Sequence, residues 1–151
     1  MIFRKATEKD LSEIQPLARA TIDACYRSFL GDEAVDGFLN SGESDKQVAN
    51  NLSDCTVSEI NNEIVGYCVY DADFIHILMI SPVVQRTGLG SKLLDHIETK
   101  MKESGYKSFR LETFKNNEQA VNFYRKNGWI VDREEVDKEF GFVRVFLYKN
   151  A

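Results

Sequence analysis

The chain has 151 residues and a formal net charge of −5 from 19 basic and 24 acidic side chains, a size that fits one domain around one core. Lys and Arg form no stripe, which argues against nucleic acid as a partner, because phosphate binding needs clustered cations. No apolar run approaches the ~20 residues that span a bilayer, which argues against a membrane protein. Cys25, Cys55 and Cys68 are widely spaced. They make no CxxC pair and no metal-ligand cluster, so they read as reduced, largely buried thiols of a cytoplasmic protein that needs no metal.

The first residues, Met1 to Lys5, carry no leader pattern, and Ile2–Ala6 reads as a short strand. Thr7 with Asp10 resembles a capping pair. Leu11, Ile14, Leu17, Ala18, Ile22 and Cys25 then recur at helical spacing. Pro16 lies inside that pattern and is expected to kink the helix or break it in two. Residues 31–52 are polar and hold three glycines; they read as two short helices, or as a loop with a helix near Asp45–Leu52. Thr56–Ile60 and Ile64–Tyr70 are β-rich runs around Asn61-Asn62-Glu63, the pattern of a hairpin.

Phe74–Ile80 is an apolar strand interrupted by His76. Gly88–Glu103 is an amphipathic helix ended by Gly105. A strand over Phe109–Phe114, a helix over Asn117–Lys126, and strands over Trp129–Val136 and Phe142–Tyr148 with a turn near Lys138–Gly141 complete the chain. The order is β, helices, then β-β-β-α-β-α-β-β. It predicts an α/β fold over residues 1–151 as a single domain: a mixed central sheet of about seven strands with helices on both faces.

The most informative stretch is Ile80-Ser81-Pro82-Val83-Val84-Gln85-Arg86-Thr87-Gly88-Leu89-Gly90-Ser91. A strand ends at Pro82, which has no donor for a sheet ladder, and a helix begins after a tight turn. Gly88 and Gly90 let the backbone approach a ligand closely. The first amides of a helix lack internal partners and carry partial positive charge, so the turn can hold an anion, with Arg86 at its rim. It is neither a Walker loop nor the complete GxGxxG fingerprint, since Leu93 follows where the third glycine would stand. A lone GxG is equally consistent with an ordinary turn.

Gln85-Arg86-Thr87-Gly88-Leu89-Gly90 resembles the acyl-coenzyme A signature of the GNAT N-acetyltransferase superfamily. A second block agrees: Leu111-Glu112-Thr113, then Asn117, Ala120 and Phe123-Tyr124, then Gly128-Trp129. This is similar to the family's strand, N-x-x-A-x-x-F-Y and G-F pattern. The resemblance covers about residues 60–135. It implies a GNAT-like acyl-CoA N-acyltransferase fold and acetyl-CoA as co-substrate. The amides from Gln85 to Ser91 would hold the pyrophosphate, and the backbone of Leu78, Met79 and Ile80 would meet the pantetheine arm.

The chemistry explains the other groups. An amine with a reference pKa near ~10 must lose a proton before it attacks a thioester. The oxyanion that forms needs donors, and the departing thiolate benefits from a proton. By resemblance, Tyr124 is the general acid toward the sulfur, and Asn117 contacts the pantetheine or orders the site. Taken alone, Tyr124 could be a packed core tyrosine and Asn117 a helix N-cap. Two base candidates stay open. His76 lies where arylalkylamine-type relatives carry a catalytic His, and Glu112 lies where many relatives carry a Glu; either could be an ordinary hydrogen-bonded or ion-paired residue. Tyr26, Phe29 and Phe38 could line the acceptor pocket or simply pack.

The reading is direct transfer of acetyl to an amine of a small molecule. A protein or peptide N-terminal acceptor and a non-catalytic acyl-CoA-binding module are the alternatives. Homodimers are common among relatives, so a homodimer is a possible assembly.

Overall fold

The computed structural model describes residues 1–139 and 141–151. Its elements run β1 (Ile2–Lys5), α1 (Leu11–Cys25), α2 (Arg27–Leu30), α3 (Asp32–Asn40), α4 (Glu43–Asn50), β2 (Cys55–Ile60), β3 (Glu63–Asp71), β4 (Phe74–Ile80), α5 (Leu89–Glu103), β5 (Ser108–Phe114), α6 (Glu118–Lys126), β6 (Ile130–Val136) and β7 (Val143–Asn150). The seven strands form one sheet in the order β1-β2-β3-β4-β5-β7-β6. β4 and β5 pair in parallel, while β1-β2, β2-β3, β5-β7 and β7-β6 are antiparallel. This is the mixed sheet expected from the sequence. The chain clusters into two compact units, Met1–Tyr70 with Ile77–Ile97, and Asp71–His76 with Glu98–Ala151.

In the first unit, the β2–β3 hairpin turns on Asn61 (φ 52°) and Asn62 (φ 66°). Two left-handed residues match the twist of the flanking strands, and asparagine tolerates that region. Ile64 to Val69 are all buried, as in a strand covered on both faces. Gly66 stands where strands approach closely: a Cβ there would lie 2.7 Å from Ile80 Cδ1, 2.9 Å from Ser58 Oγ and 3.0 Å from the Met79 carbonyl. Ile14, Leu17, Ala18 and Ile22 of α1 join Val35, Val48, Val57, Tyr67 and Met79 in one core. Tyr26 and Phe38 pack against that core, which is the packing alternative for these two aromatics.

Two local expectations meet different outcomes. The Thr7–Asp10 pair forms, with the Thr7 amide donating to Asp10 Oδ2 at 2.7 Å, but it opens a single 3-10 turn before α1 begins. Pro16 does not divide α1, which runs unbroken from Leu11 to Cys25. Proline deprives only the Ser12 carbonyl of its donor, and Ser12 is exposed to water; buried residues on both sides of Pro16 favour continuing the helix through it. Residues 31–52 take the two-helix alternative, as α3 and α4.

In the second unit, β5 pairs with β7 over its whole length, from Ser108↔Asn150 to Phe114↔Arg144. Alternation gives the unit two distinct faces. Phe109, Leu111, Val145 and Leu147 are buried on one, with the Trp129 ring 6.4 Å from Phe109 and 5.7 Å from Tyr124. Glu98 is buried there too, and is held by Trp129 Nε1 at 3.3 Å and by Lys149 Nζ at 2.6 Å. The opposite face carries arginines over aromatic rings: Arg110 over Phe74, Arg144 over Phe114 and Arg133 over Phe146. β6 is the sheet's edge, and all seven of its residues are exposed. The expected turn after β6 is closed by the Gly141 amide donating to the Asp137 carbonyl; its residue 140 lies outside the described residues.

Candidate functional site

The first unit holds the glycine turn. The Ser81 amide, just past the end of β4, donates to the Val65 carbonyl of β3 at 2.8 Å. Pro82–Val84 then form a 3-10 turn. Arg86 (φ 65°) and Gly88 (φ 85°) are both left-handed. A Cβ built on Gly88 would meet nothing within 4 Å, so the turn opens onto free space directly before α5. The Lys92 amide is bonded to the Gly88 carbonyl. The amides of Leu89, Gly90 and Ser91 precede it and have no carbonyl within the helix to bond. They carry the positive end of the helix dipole. The arrangement fits an anion such as a pyrophosphate.

The polar side chains of the turn are used inside it. Gln85 Nε2 donates to the Ile80 carbonyl at 3.0 Å and contacts Cys25 Sγ at 3.4 Å. Thr87 Oγ1 donates to the Val84 carbonyl at 2.6 Å. Arg86 is exposed. Met79 is buried, with Leu78 and Ile80 half-buried on either side of it.

The second unit holds the candidate acid and bases. Tyr124 is buried on α6 at 7% exposure, ringed by Phe123 at 5.1 Å and Trp129. Asn117 caps α6, its Oδ1 accepting the Ala120 amide at 3.3 Å; the N-cap alternative is therefore real and anchors the start of the helix that bears Tyr124. His76 is exposed on β4, its ring 4.8 Å from Phe74. The β4–β5 ladder pairs Phe74 with Arg110 and Ile75 with Leu111, so His76 and Glu112 come next on their strands and share a face. Glu112 Oε1 accepts from Arg144 at 3.2 Å. Arg144 lies 32 residues downstream of Glu112, and no sequence motif announced it.

Burial pushes the Cys55 thiol up to about 12, and Cys68 is pushed up further by the same cause. Neither is a thiolate at neutral pH, and a buried thiol is a poor nucleophile. Among the described residues, no group of three or more His, Cys, Asp or Glu is placed to hold a metal ion, and no helix is long and apolar enough to cross a membrane.

Comparison with known proteins gives the family and the fold. The model of the acetyltransferase (GNAT) family matches residues 20–129, and the chain belongs to that family. The uncharacterised protein YxbD of Bacillus subtilis is 33% identical over 75 residues, which are 48% of this chain and 47% of that protein. The match thus spans about half the length of that curated relative. The GCN5-related N-acetyltransferase of Rhodopseudomonas palustris superposes with a TM-score of 0.85 at 16% identity, covering 99% of this chain and 95% of that one. The PaiA N-acetyltransferase of Thermoplasma acidophilum, solved with coenzyme A, gives 0.82 at 20% identity, covering 99% and 98%. At these identities the two structures establish the fold.

Proposed function

We propose that this chain is an acetyl-coenzyme A-dependent N-acetyltransferase of the cytoplasm, acting as one functional domain, that moves acetyl directly to the amine of a small molecule. The observation that carries this reading is Gly88. It is left-handed, faces open space, and stands directly before amides that have no helical partner. A pyrophosphate suits such a turn, and the backbone of Leu78, Met79 and Ile80 is the strand end that leads into it. Membership of the acetyltransferase family supports the same reading.

Acetyl-coenzyme A supplies the acetyl group as a thioester, already activated toward a neutral amine. The chain's own tasks are three. The amides of Leu89, Gly90 and Ser91, with the exposed Arg86, hold the anion. The Tyr124 hydroxyl donates a proton to the departing sulfur. His76 accepts the proton of the acceptor amine, directly or through water. The Arg144 contact supports this choice of base, because a carboxylate oxygen that already accepts from a guanidinium is less available to an incoming proton. Glu112 then stands as the ion-pair partner of Arg144 on the face that carries His76. Asn117 orders the start of α6.

Calorimetric titration with acetyl-coenzyme A, with adenosine as control, tests this reading. A Kd near ~10 μM that needs the pyrophosphate and pantetheine is expected, followed by turnover in a screen of small amines. No binding at millimolar acetyl-coenzyme A overturns the proposal. Turnover only with Ala- or Ser-starting peptides moves the acceptor to protein N-termini. Binding without turnover, unchanged in Tyr124→Phe, makes the chain an acyl-coenzyme A-binding module.

A further inference from the structure

The glycine turn needs something to hold it, because one of its left-handed residues is Arg86 (φ 65°), and a side chain with a Cβ disfavours that conformation. The chain must also reverse sharply between Ser81, whose amide bonds the Val65 carbonyl of β3, and the start of α5 at Leu89. Two side chains span that interval. Thr87 Oγ1 bonds the Val84 carbonyl within the turn. Gln85 Nε2 reaches five residues back to the Ile80 carbonyl, at the last residue of β4. The same nitrogen lies 3.4 Å from the Sγ of Cys25, the last residue of α1. Gln85 thereby ties three segments together: the strand end, the turn and the helix end.

We infer that Gln85 is a positioning residue for coenzyme binding. It acts by bracing the backbone turn through the Ile80 carbonyl and Cys25, and its side chain does not contact the coenzyme. The inference rests on the acetyl-coenzyme A reading above. Its physical content is pre-organisation: the amides before α5 hold an anion tightly only if the turn is already in place when the anion arrives. Losing the brace adds an ordering cost to binding and leaves the acid and base groups untouched. The donor matters specifically, since the Ile80 carbonyl can accept from an amide or a protonated carboxyl but not from a carboxylate.

Two variants and one pH series test this. Gln85→Ala should weaken coenzyme A binding roughly tenfold by calorimetry, the loss of about one donor. KM for acetyl-coenzyme A should rise with it, while kcat stays within about threefold. Gln85→Glu should bind as weakly as Gln85→Ala at pH 8. Near pH ~3.5 its carboxyl is largely protonated and can donate, so its affinity should return toward that of the unsubstituted protein at the same pH. A merely structural role would not produce that pH-dependent rescue. Gln85→Ala binding within twofold of the unsubstituted protein overturns the inference, as does a Gln85→Glu affinity that ignores pH. If the unsubstituted protein binds no coenzyme A, the functional reading falls and this inference with it. If it binds and only the variants disobey, this inference alone falls.

Discussion

The turn before α5 and the β4–β5 face of the second unit use their side chains in opposite ways. In the turn, Gln85 and Thr87 bond backbone carbonyls, and apart from the exposed Arg86 what remains to offer a ligand is the backbone itself: a left-handed glycine and the amides of a helix start. On the face, His76, Glu112 and Arg144 are exposed or half-exposed side chains, and the proposed chemistry rests on their charges and lone pairs. A backbone site tolerates many side chains and demands a conformation. A side-chain site tolerates conformational slack and demands particular atoms. Substitution should therefore act on binding in the first region and on rate in the second.

The largest effect is expected at the turn. Gly88→Trp places a bulky side chain at φ 85° in the open space of the turn, and should weaken coenzyme A binding by roughly a hundredfold or more by calorimetry. Retained tight binding would break the comparison at its root. Next comes Tyr124→Phe, which should lower kcat about a hundredfold while coenzyme A binding stays within about threefold. Steady-state kinetics and titration on the same preparation separate the two. Smaller still is the contrast between bases. His76→Gln should lower kcat/KM about 10- to 100-fold and flatten its dependence on pH, whereas Glu112→Gln should change it by less than about threefold. The reverse order would make Glu112 the base and Arg144 its regulator.

The smallest expected effect compares two ion pairs. Asp10 is buried, and the Arg4 guanidinium donates to both its oxygens at 2.9 Å, which lowers its pKa to about 2. A carboxyl held below its unfolded value near ~3.9 stabilises the fold above that value, and the contribution is lost as pH falls toward about 2. Because Arg4 is itself 35% exposed, the contribution is about 1–2 kcal/mol, less than the shift alone implies. Denaturant melts should show Asp10→Asn destabilised by that amount at pH 7 and level with the unsubstituted protein near pH ~2. Arg144→Ala breaks a pair with both side chains more than a third exposed and should cost less than ~1 kcal/mol.

Much of the fold was legible because its signals are local. The Asn61-Asn62 turn, the Gly105 stop after α5 and the apolar spacing of that helix each depend on a few adjacent residues, and each formed where the sequence put it. The boundaries of β4 were read to the residue; those of β1, β2, β3, β5, β6 and β7 shifted by one or two, since strand ends are settled by the neighbouring strand. At Pro16 the sequence left a kink or a break open, and the helix is unbroken. A proline's effect depends on whether the carbonyl it deprives can reach water and on what the flanking residues bury, and neither is written at the proline.

The site divides the same way. The sequence by itself determined the glycine turn, the asparagine cap and the tyrosine on its helix, because backbone conformation and helix phase follow from adjacent residues. Tertiary structure alone decided what each polar group touches. Gln85 meets Cys25 across 60 residues and Glu112 meets Arg144 across 32. His76 is exposed beside Phe74 although the rest of its strand reads as apolar. Partners so far apart are brought together by strand register and helix packing, which arise from burying the whole apolar set at once. No short stretch of the chain contains that information.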